Sequence, residues 1–409
     1  MALSLQRFTW ADTGSRFAQL LKERIRNEKE RSMLIAINKL DHLPENLIIE
    51  ILSWLSVKDL LQYKSVCKSW YAIISSPNFK SKHLKNYYNN NDDWRGCLLV
   101  QHYVTHAELQ LYALLVDETP RVLADEVLYS IPLYSSYACG PCDGIYYLYQ
   151  YDSSDRALWN PAINEFKSLP KLICKADLPS SLTYAANEVY GFGLDPITRD
   201  YKVVVIKGYW SNNDEETDVK HPLSVLVYSL STNSWRYCGD LAKAYDLESN
   251  KCYLNVNGCC YWFGSFEYTS EVIVSFDMAT DEFKEIHVPD YALPSSKCLG
   301  IYDDCLAFLS LHESEKNLEI WTWNEESWTK KATVGPFPDV RGPIGHWKDN
   351  RLILQCEDGK LVILDRGSQE VRDLAFQNDR WCEGVFAYME SLVSIKDKTE
   401  SGQAEEVEA

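Results

Sequence analysis

SFDMATDEF, Ser275–Phe283, is the stretch on which the fold turns. It ends an apolar run, VIVSFD (272–277), in a polar turn and then restarts on an aromatic residue. That is the pattern of two strands joined by a short hairpin. Copies stand on both sides: LWNPAINEF ending at Phe166, VYSLSTNSW at Trp235, WTWNEESW at Trp328 and a degenerate LDRGSQEV at Val371. The closing residues are 69, 48, 45 and 43 apart. A second element, a polar turn leading into a strand, recurs at Asn257-Gly258, Asp303-Asp304 and Asp349-Asn350, advancing by 46 each time. Other short runs, YKVVVI (201–206), VLVYSL (225–230) and LVILD (361–365), share this β texture. A period of ~40–50 residues that carries several strands fits the blades of a propeller. Residues 95–395 would then make about six or seven blades. The 69-residue gap keeps an irregular pair of β-sandwiches open as the alternative.

The whole chain has 409 residues, length for two or three domains. Its 26 Tyr and 13 Trp suit half-buried strand surfaces. The formal net charge of −18 argues against non-specific attraction to nucleic acid or an anionic membrane. No apolar run approaches the ~18 residues of a membrane span, and Arg7 and Asp12 interrupt any signal-peptide core. Thirteen cysteines are an odd number, so they cannot all pair within one molecule. Reduced thiols in the cytosol and/or nucleus are expected.

Outward from the β region the texture changes. Residues 1–38 carry seven basic and four acidic side chains, and Phe17, Leu20, Leu21 and Ile25 recur at helical spacing, so a helical or disordered extension is expected. Residues 39–86 read as compact helices. Pro44 suits a first helical position, and Leu47, Ile48, Ile51, Leu52 and Leu55 form an apolar stripe behind it. Ser56 with Asp59 resembles a capping box, and Leu60, Leu61, Val66 and Cys67 line a second helix. Trp70, Tyr71, Ile73 and Ile74 continue the pattern until Ser75-Ser76-Pro77. Residues 87–94 read as a linker, and 396–409 as a disordered acidic tail. A helical unit this small cannot bury so many leucines and isoleucines alone. Each is worth ~1.5–3 kcal/mol when fully buried, which calls for a partner or for packing on the β domain.

LPENLIIEILSWLSVKDLLQYKSVCKSW, Leu43–Trp70, resembles the F-box, with Leu43-Pro44, Ile51-Leu52, Leu55, Leu60, Val66-Cys67-Lys68 and Trp70 in register. Ser56 departs from the Pro that many F-boxes carry there; a cap-forming Ser can start the helix as well. GPCDGIYYL (140–148), LWNPAINEF, GFGLDPITRDYKVV (191–204) and SFDMATDEF resemble the F-box-associated, kelch-like region of a large plant family, nearest in pattern to the S-locus F-box proteins. The resemblance implies an α+β multidomain chain: a small helical F-box, then an all-β propeller. It implies a non-catalytic substrate receptor that docks a Skp-family adaptor and, through it, a cullin-RING scaffold, and presents a protein for ubiquitination and proteasomal degradation. The adaptor-facing residues would be Leu43, Pro44, Leu47, Ile51, Leu52, Leu55, Val57, Leu60, Val66 and Trp70. Among S-locus relatives the implied targets are secreted ribonucleases in self-incompatibility. A propeller binding module working outside a ligase is the alternative, and a propeller enzyme a third reading.

No cofactor or metal is expected. Cys139-Gly140-Pro141-Cys142 copies a redox dithiol spacing, but it runs into the strand-like IYYLYQY rather than a helix. Cys259-Cys260 are adjacent, which is not finger spacing, and His102 with His106 lack the Glu of a metalloprotease helix. Gly191-Phe192-Gly193 lacks the third glycine of a phosphate loop. Charge partition is more telling. Residues 1–38 carry +3, residues 39–94 +1 and the tail −3, so residues 95–395 carry −19. Acidic stretches such as NNDEETD (212–218) and HESEKNLE (312–319) are expected on propeller rims. Asp214, Glu215 and Glu216 are then candidates for contacting a basic substrate, with solubility as the competing account.

Overall fold

A computed structural model describes residues 44–89, 96–103, 109–116, 121–122, 133, 136–150, 154–172, 182–211, 223–248, 254–266, 270–289, 296–347, 351–365, 370–377, 382 and 384–396. The chain divides into two compact units, Met1–His83 and Leu84–Ala409.

Among the described residues four helices come first: α1 (Glu45–Leu52), α2 (Val57–Tyr63), α3 (Lys68–Ser75) and α4 (Pro77–Asn89). Ser56 caps α2 as its spacing to Asp59 predicts, with Oγ accepting from the Asp59 N–H at 3.1 Å and donating to Oδ2 at 2.8 Å. Cys67 caps α3 in the same way, its Sγ 3.4 Å from the Trp70 nitrogen. Helix α4 is a correction to the sequence reading, which ended the helices near Pro77 and began a linker at 87. Its residues, PNFKSKHLKNYYN, are too polar for a periodicity argument. The helix is recognisable instead by Pro77 at its first position and by Ser76, whose hydroxyl caps the Phe79 N–H at 3.2 Å.

Twenty-five strands follow among the described residues, in six antiparallel sheets. Blade 2 holds β4 (Tyr137–Cys142), β5 (Ile145–Tyr149), β6 (Arg156–Asn160) and β7 (Glu165–Ser168). Blade 3 holds β8 (Leu182–Leu194), β9 (Tyr201–Ser211), β10 (Ser224–Ser229) and β11 (Ser234–Asp240). Blade 4 has five strands: β12 (Asp246–Leu247), β13 (Asn255–Val256), β14 (Cys259–Phe266), β15 (Ser270–Asp277) and β16 (Phe283–His287). Blade 5 holds β17 (Ser296–Tyr302), β18 (Cys305–Leu311), β19 (Leu318–Trp323) and β20 (Trp328–Val334). Blade 6 holds β21 (Val340–Trp347), β22 (Arg351–Cys356), β23 (Lys360–Leu364) and β24 (Val371–Gln377).

Blade 1 is assembled from both ends of the domain. Strands β1 (Gly96–Tyr103), β2 (Leu109–Val116) and β3 (Arg121–Val122) come from its start, and β25 (Gly384–Tyr388) from its end, in the order β25-β1-β2-β3. Joining the two ends in one sheet removes the open edges that a linear stack of sheets would leave.

Six apolar clusters show that the sheets form a closed ring, because each cluster draws on two neighbouring blades. Tyr146 and Trp159 meet Leu99 and Phe386 between blades 2 and 1. Tyr147 and Tyr149 meet Tyr190 and Val203 between blades 2 and 3, and Val204 and Val225 meet Trp262 and Phe276 between 3 and 4. Phe263 and Ile273 meet Leu299 and Phe308 next, then Leu309 and Ile320 meet Leu352 and Leu354. Ile353 and Ile363 meet Leu98 and Val100 to complete the circuit. Middle strands therefore bury both faces, which is why five of the six residues of β10 are inside.

The hairpin chemistry explains the repeat. The turns Asp143-Gly144, Asn257-Gly258 and Asp303-Asp304 place both residues at positive φ, the turn that matches strand twist and favours Asn, Asp and Gly. They join β4 to β5, β13 to β14 and β17 to β18 in blades 2, 4 and 5. The SFDMATDEF-type turns join the outer pairs of blades 2 to 5, with left-handed residues at Asn164, Asn233, Asp281 and Glu325. Much of the 69-residue gap has a plain cause: β8 and β9 are 13 and 11 residues long.

Candidate docking site

The helical unit separates its apolar residues into a core and an uncovered face. Leu52, Val57, Leu60, Trp70, Ile73, Ile74 and Phe79 are buried. His83 ties α4 to the turn between α1 and α2, its Nε2 lying 2.9 Å from the Leu55 carbonyl oxygen. On the outside, Leu47 (50 % exposed), Ile51 (45 %) and Trp54 (57 %) follow one another at steps of four and three, which puts them on one face of α1 and its C-terminal turn. Leu61 on α2 and Tyr71 on α3 are also large, apolar and exposed. Exposed apolar side chains gathered on so small a unit mark an interaction surface.

Polar chemistry fixes the Trp54 ring in place. Its Nε1 donates to Glu50 Oε1 at 3.0 Å, and the other carboxylate oxygen of Glu50 takes the Lys82 ammonium of α4. Those two bonds hold the Glu50 carboxyl below its ordinary value, Lys82 contributing most. An aromatic ring presented by such a bracket loses little conformational freedom on binding, as interface anchors require.

The ten adaptor-facing residues expected from the sequence are therefore divided. Pro44, Leu47 and Ile51 are exposed, and Leu55 and Val66 are half-buried. Leu52, Val57, Leu60 and Trp70 are core, which corrects their assignment to a docking surface: the helices fold on them. Leu43 lies outside the described residues, as do Asp214, Glu215 and Glu216. Trp54 was missed by sequence reading. Its signal was the seven-residue step from Leu47 on the same stripe.

Cys139 and Cys142 lie on strand β4, not at a helix N-terminus, and burial pushes the Cys142 thiol well above its ordinary value. Burial likewise lifts Cys260 to about 12, so the Cys142 and Cys260 sulfurs stay protonated and unreactive. Among the described residues no group of three His, Cys, Asp or Glu side chains converges as a metal site, and no helix is long and apolar enough to cross a membrane. The GFGLDPITRDYKVV stretch is instead a structural joint. Asp195, in the turn between β8 and β9, accepts from the N–H groups of Ile197 (2.8 Å) and Thr198 (3.1 Å) and pairs with Lys202 at 2.8 Å. Lys202 also donates to the Met278 carbonyl of blade 4 and lies 3.9 Å from Asp281, so one ammonium links two blades.

The F-box domain family matches residues 40–82, and the F-box associated beta propeller domain family matches residues 111–395. The chain belongs to the F-box proteins with an associated β-propeller. Three relatives from Arabidopsis thaliana illustrate the breadth of this family. F-box protein At3g08750 is 27 % identical over 74 % of this chain and 75 % of its own. F-box protein CPR1 is 24 % identical over 82 % and 85 %, and F-box/kelch-repeat protein At3g23880 is 25 % identical over 87 % and 96 %. The exposed apolar residues of α1 to α3 thus belong to an F-box, and the six-sheet ring is its associated domain.

Proposed function

We propose that this F-box protein is the substrate-recognition subunit of a Skp-cullin-F-box ubiquitin ligase. The observation that carries the reading is the exposed apolar stripe Leu47, Ile51 and Trp54 on the F-box unit, with Leu61 and Tyr71 exposed on the next two helices. A Skp-family adaptor is the partner that occupies this face, and it joins the chain to a cullin-RING scaffold. The ring is the substrate receptor, and the chain contributes no chemistry of its own. Ubiquitin is transferred by the other subunits, and this protein acts by holding the target within their reach.

A basic substrate is the finer reading. The −19 carried by residues 95–395 supports it, since complementary fields raise association rates more than affinity. The secreted ribonucleases suggested by the S-locus resemblance are one such class, and Asp214, Glu215 and Glu216 are candidate contacts. Affinity purification from cells with the proteasome and cullin activation inhibited, followed by mass spectrometry, tests the whole reading. Recovery of adaptor, cullin and a protein that accumulates only under the block supports it. A chain that brings down interaction partners but no adaptor or cullin would be a propeller module working outside a ligase.

A further inference from the structure

Beyond β25 the chain crosses the rim of the ring. Asn160, at the end of β6, donates from Nδ2 to the carbonyls of Ser391 (3.1 Å) and Val393 (2.8 Å). Glu165, at the start of β7, accepts from the Ser394 hydroxyl at 3.0 and 2.9 Å and from the Ile395 N–H at 2.8 Å. Ser391, Leu392 and Ile395 are buried. Residues 389–391 also lie close over the hairpin of blade 2: a Cβ added to Gly144 would fall 2.5 Å from Ser391 Cβ and 2.7 Å from the Met389 carbonyl oxygen. Ile395 ends in the cluster between blades 2 and 3, among Tyr147, Phe192 and Tyr201.

This segment is not a strand of the sheet, yet side chains of blade 2 answer its backbone groups one by one. Strand β25 itself is held to β1 through five residue pairs, Cys97–Gln101 against Gly384–Tyr388. That pairing is the seam where the two ends of the domain meet. We propose that residues 389–396 are a latch for this seam. They run from blade 1 across blade 2 to the blade 2–3 junction, and they fix three blades where the ring would otherwise open first. Asn160 and Glu165 are the catch, and Ile395 is the bolt. Release of the latch frees β25 and uncovers the Ile395 socket, so the latch sets how readily the receptor ring loosens.

Hydrogen exchange read by mass spectrometry tests this. Three chains are compared with the full one: residues 1–396, residues 1–390, and full-length Asn160→Ala with Glu165→Ala. The 1–396 chain should exchange as the full chain does. The 1–390 chain should exchange at least tenfold faster in β25, β1, β4 and β5 while blades 4 and 5 keep their protection. A synthetic peptide of residues 388–396 should restore that protection saturably, and the double variant should show the same regional pattern as the 1–390 chain. Unchanged exchange in the 1–390 chain, or no restoration by the peptide, overturns the proposal. If that chain is not recovered folded, the full-length double variant decides: faster exchange around the seam supports the latch, whereas no change, or a uniform change over all blades, overturns it.

Discussion

Asp195→Ala should destabilise the ring out of proportion to the side chain removed. Burial on its own would raise the Asp195 carboxyl, but bonds from Lys202, Thr198 and Ile197 outweigh it and hold the group well below the usual carboxylate range. Truncation strands the buried Lys202 ammonium, leaving it the Met278 carbonyl and the more distant Asp281. Breaking a buried pair from one side costs about 3–5 kcal/mol. For a domain of this size that corresponds to a fall in Tm of roughly 6–10 °C, at about 2 °C per kcal/mol. Removing both partners is different. Asp195→Ala with Lys202→Met leaves no unpaired charge, only two turn N–H groups without an acceptor at about 1 kcal/mol each. The double variant should therefore be more stable than Asp195→Ala alone, with a coupling of about 2 kcal/mol in a double-mutant cycle followed by circular dichroism. Additive single effects would refute the claim that Asp195 and Lys202 act as one buried pair.

Further predictions concern other parts of the chain. Because the folded carboxyl of Asp195 is depressed, its stabilisation is complete above the unfolded pKa of ~3.9 and is lost as pH falls further; the acid limb of a pH–Tm profile should flatten in Asp195→Asn. Burial lowers His346 to about 4, so the unfolded chain binds the extra proton first, and stability should fall as pH drops from ~6.5 towards 4, less so in His346→Gln. Gly193→Ala places a Cβ 2.0 Å from Asn255 Nδ2 and should lower Tm; adding Asn255→Ala should restore most of the loss. Maleimide should label exposed Cys67 in the native protein well before buried Cys139 and Cys260, as peptide mapping would record.

Much of this architecture was legible in the sequence, for reasons that differ between the units. Hairpins such as Asn257-Gly258 and SFDMATDEF announce themselves because their backbones demand particular residues. A ring repeats that demand blade after blade. The closure of blade 1 gave no such signal, since β25 reaches β1 from the opposite end of the domain and the two share no local turn. The latch was silent too: Asn160 and Glu165 meet residues some 230 positions away. In the helical unit the stripe on α1 was plain, but periodicity does not say which side of a small unit is its core. Leu52 and Ile51 are neighbours in sequence and fall on opposite sides of that boundary.

The central claim rests on that boundary, and titration of the purified full chain with a purified Skp-family adaptor tests it most directly. Leu47→Ala with Ile51→Ala should leave the Tm and helical signal of the protein unchanged, because both side chains already face solvent. Adaptor affinity should fall at least ~30-fold, the equivalent of one anchor worth ~2 kcal/mol. Leu60→Ala should instead unfold the helical unit, at a cost of about 2.7–5 kcal/mol for a fully buried leucine. Undiminished adaptor binding by the folded Leu47→Ala, Ile51→Ala protein would contradict the account.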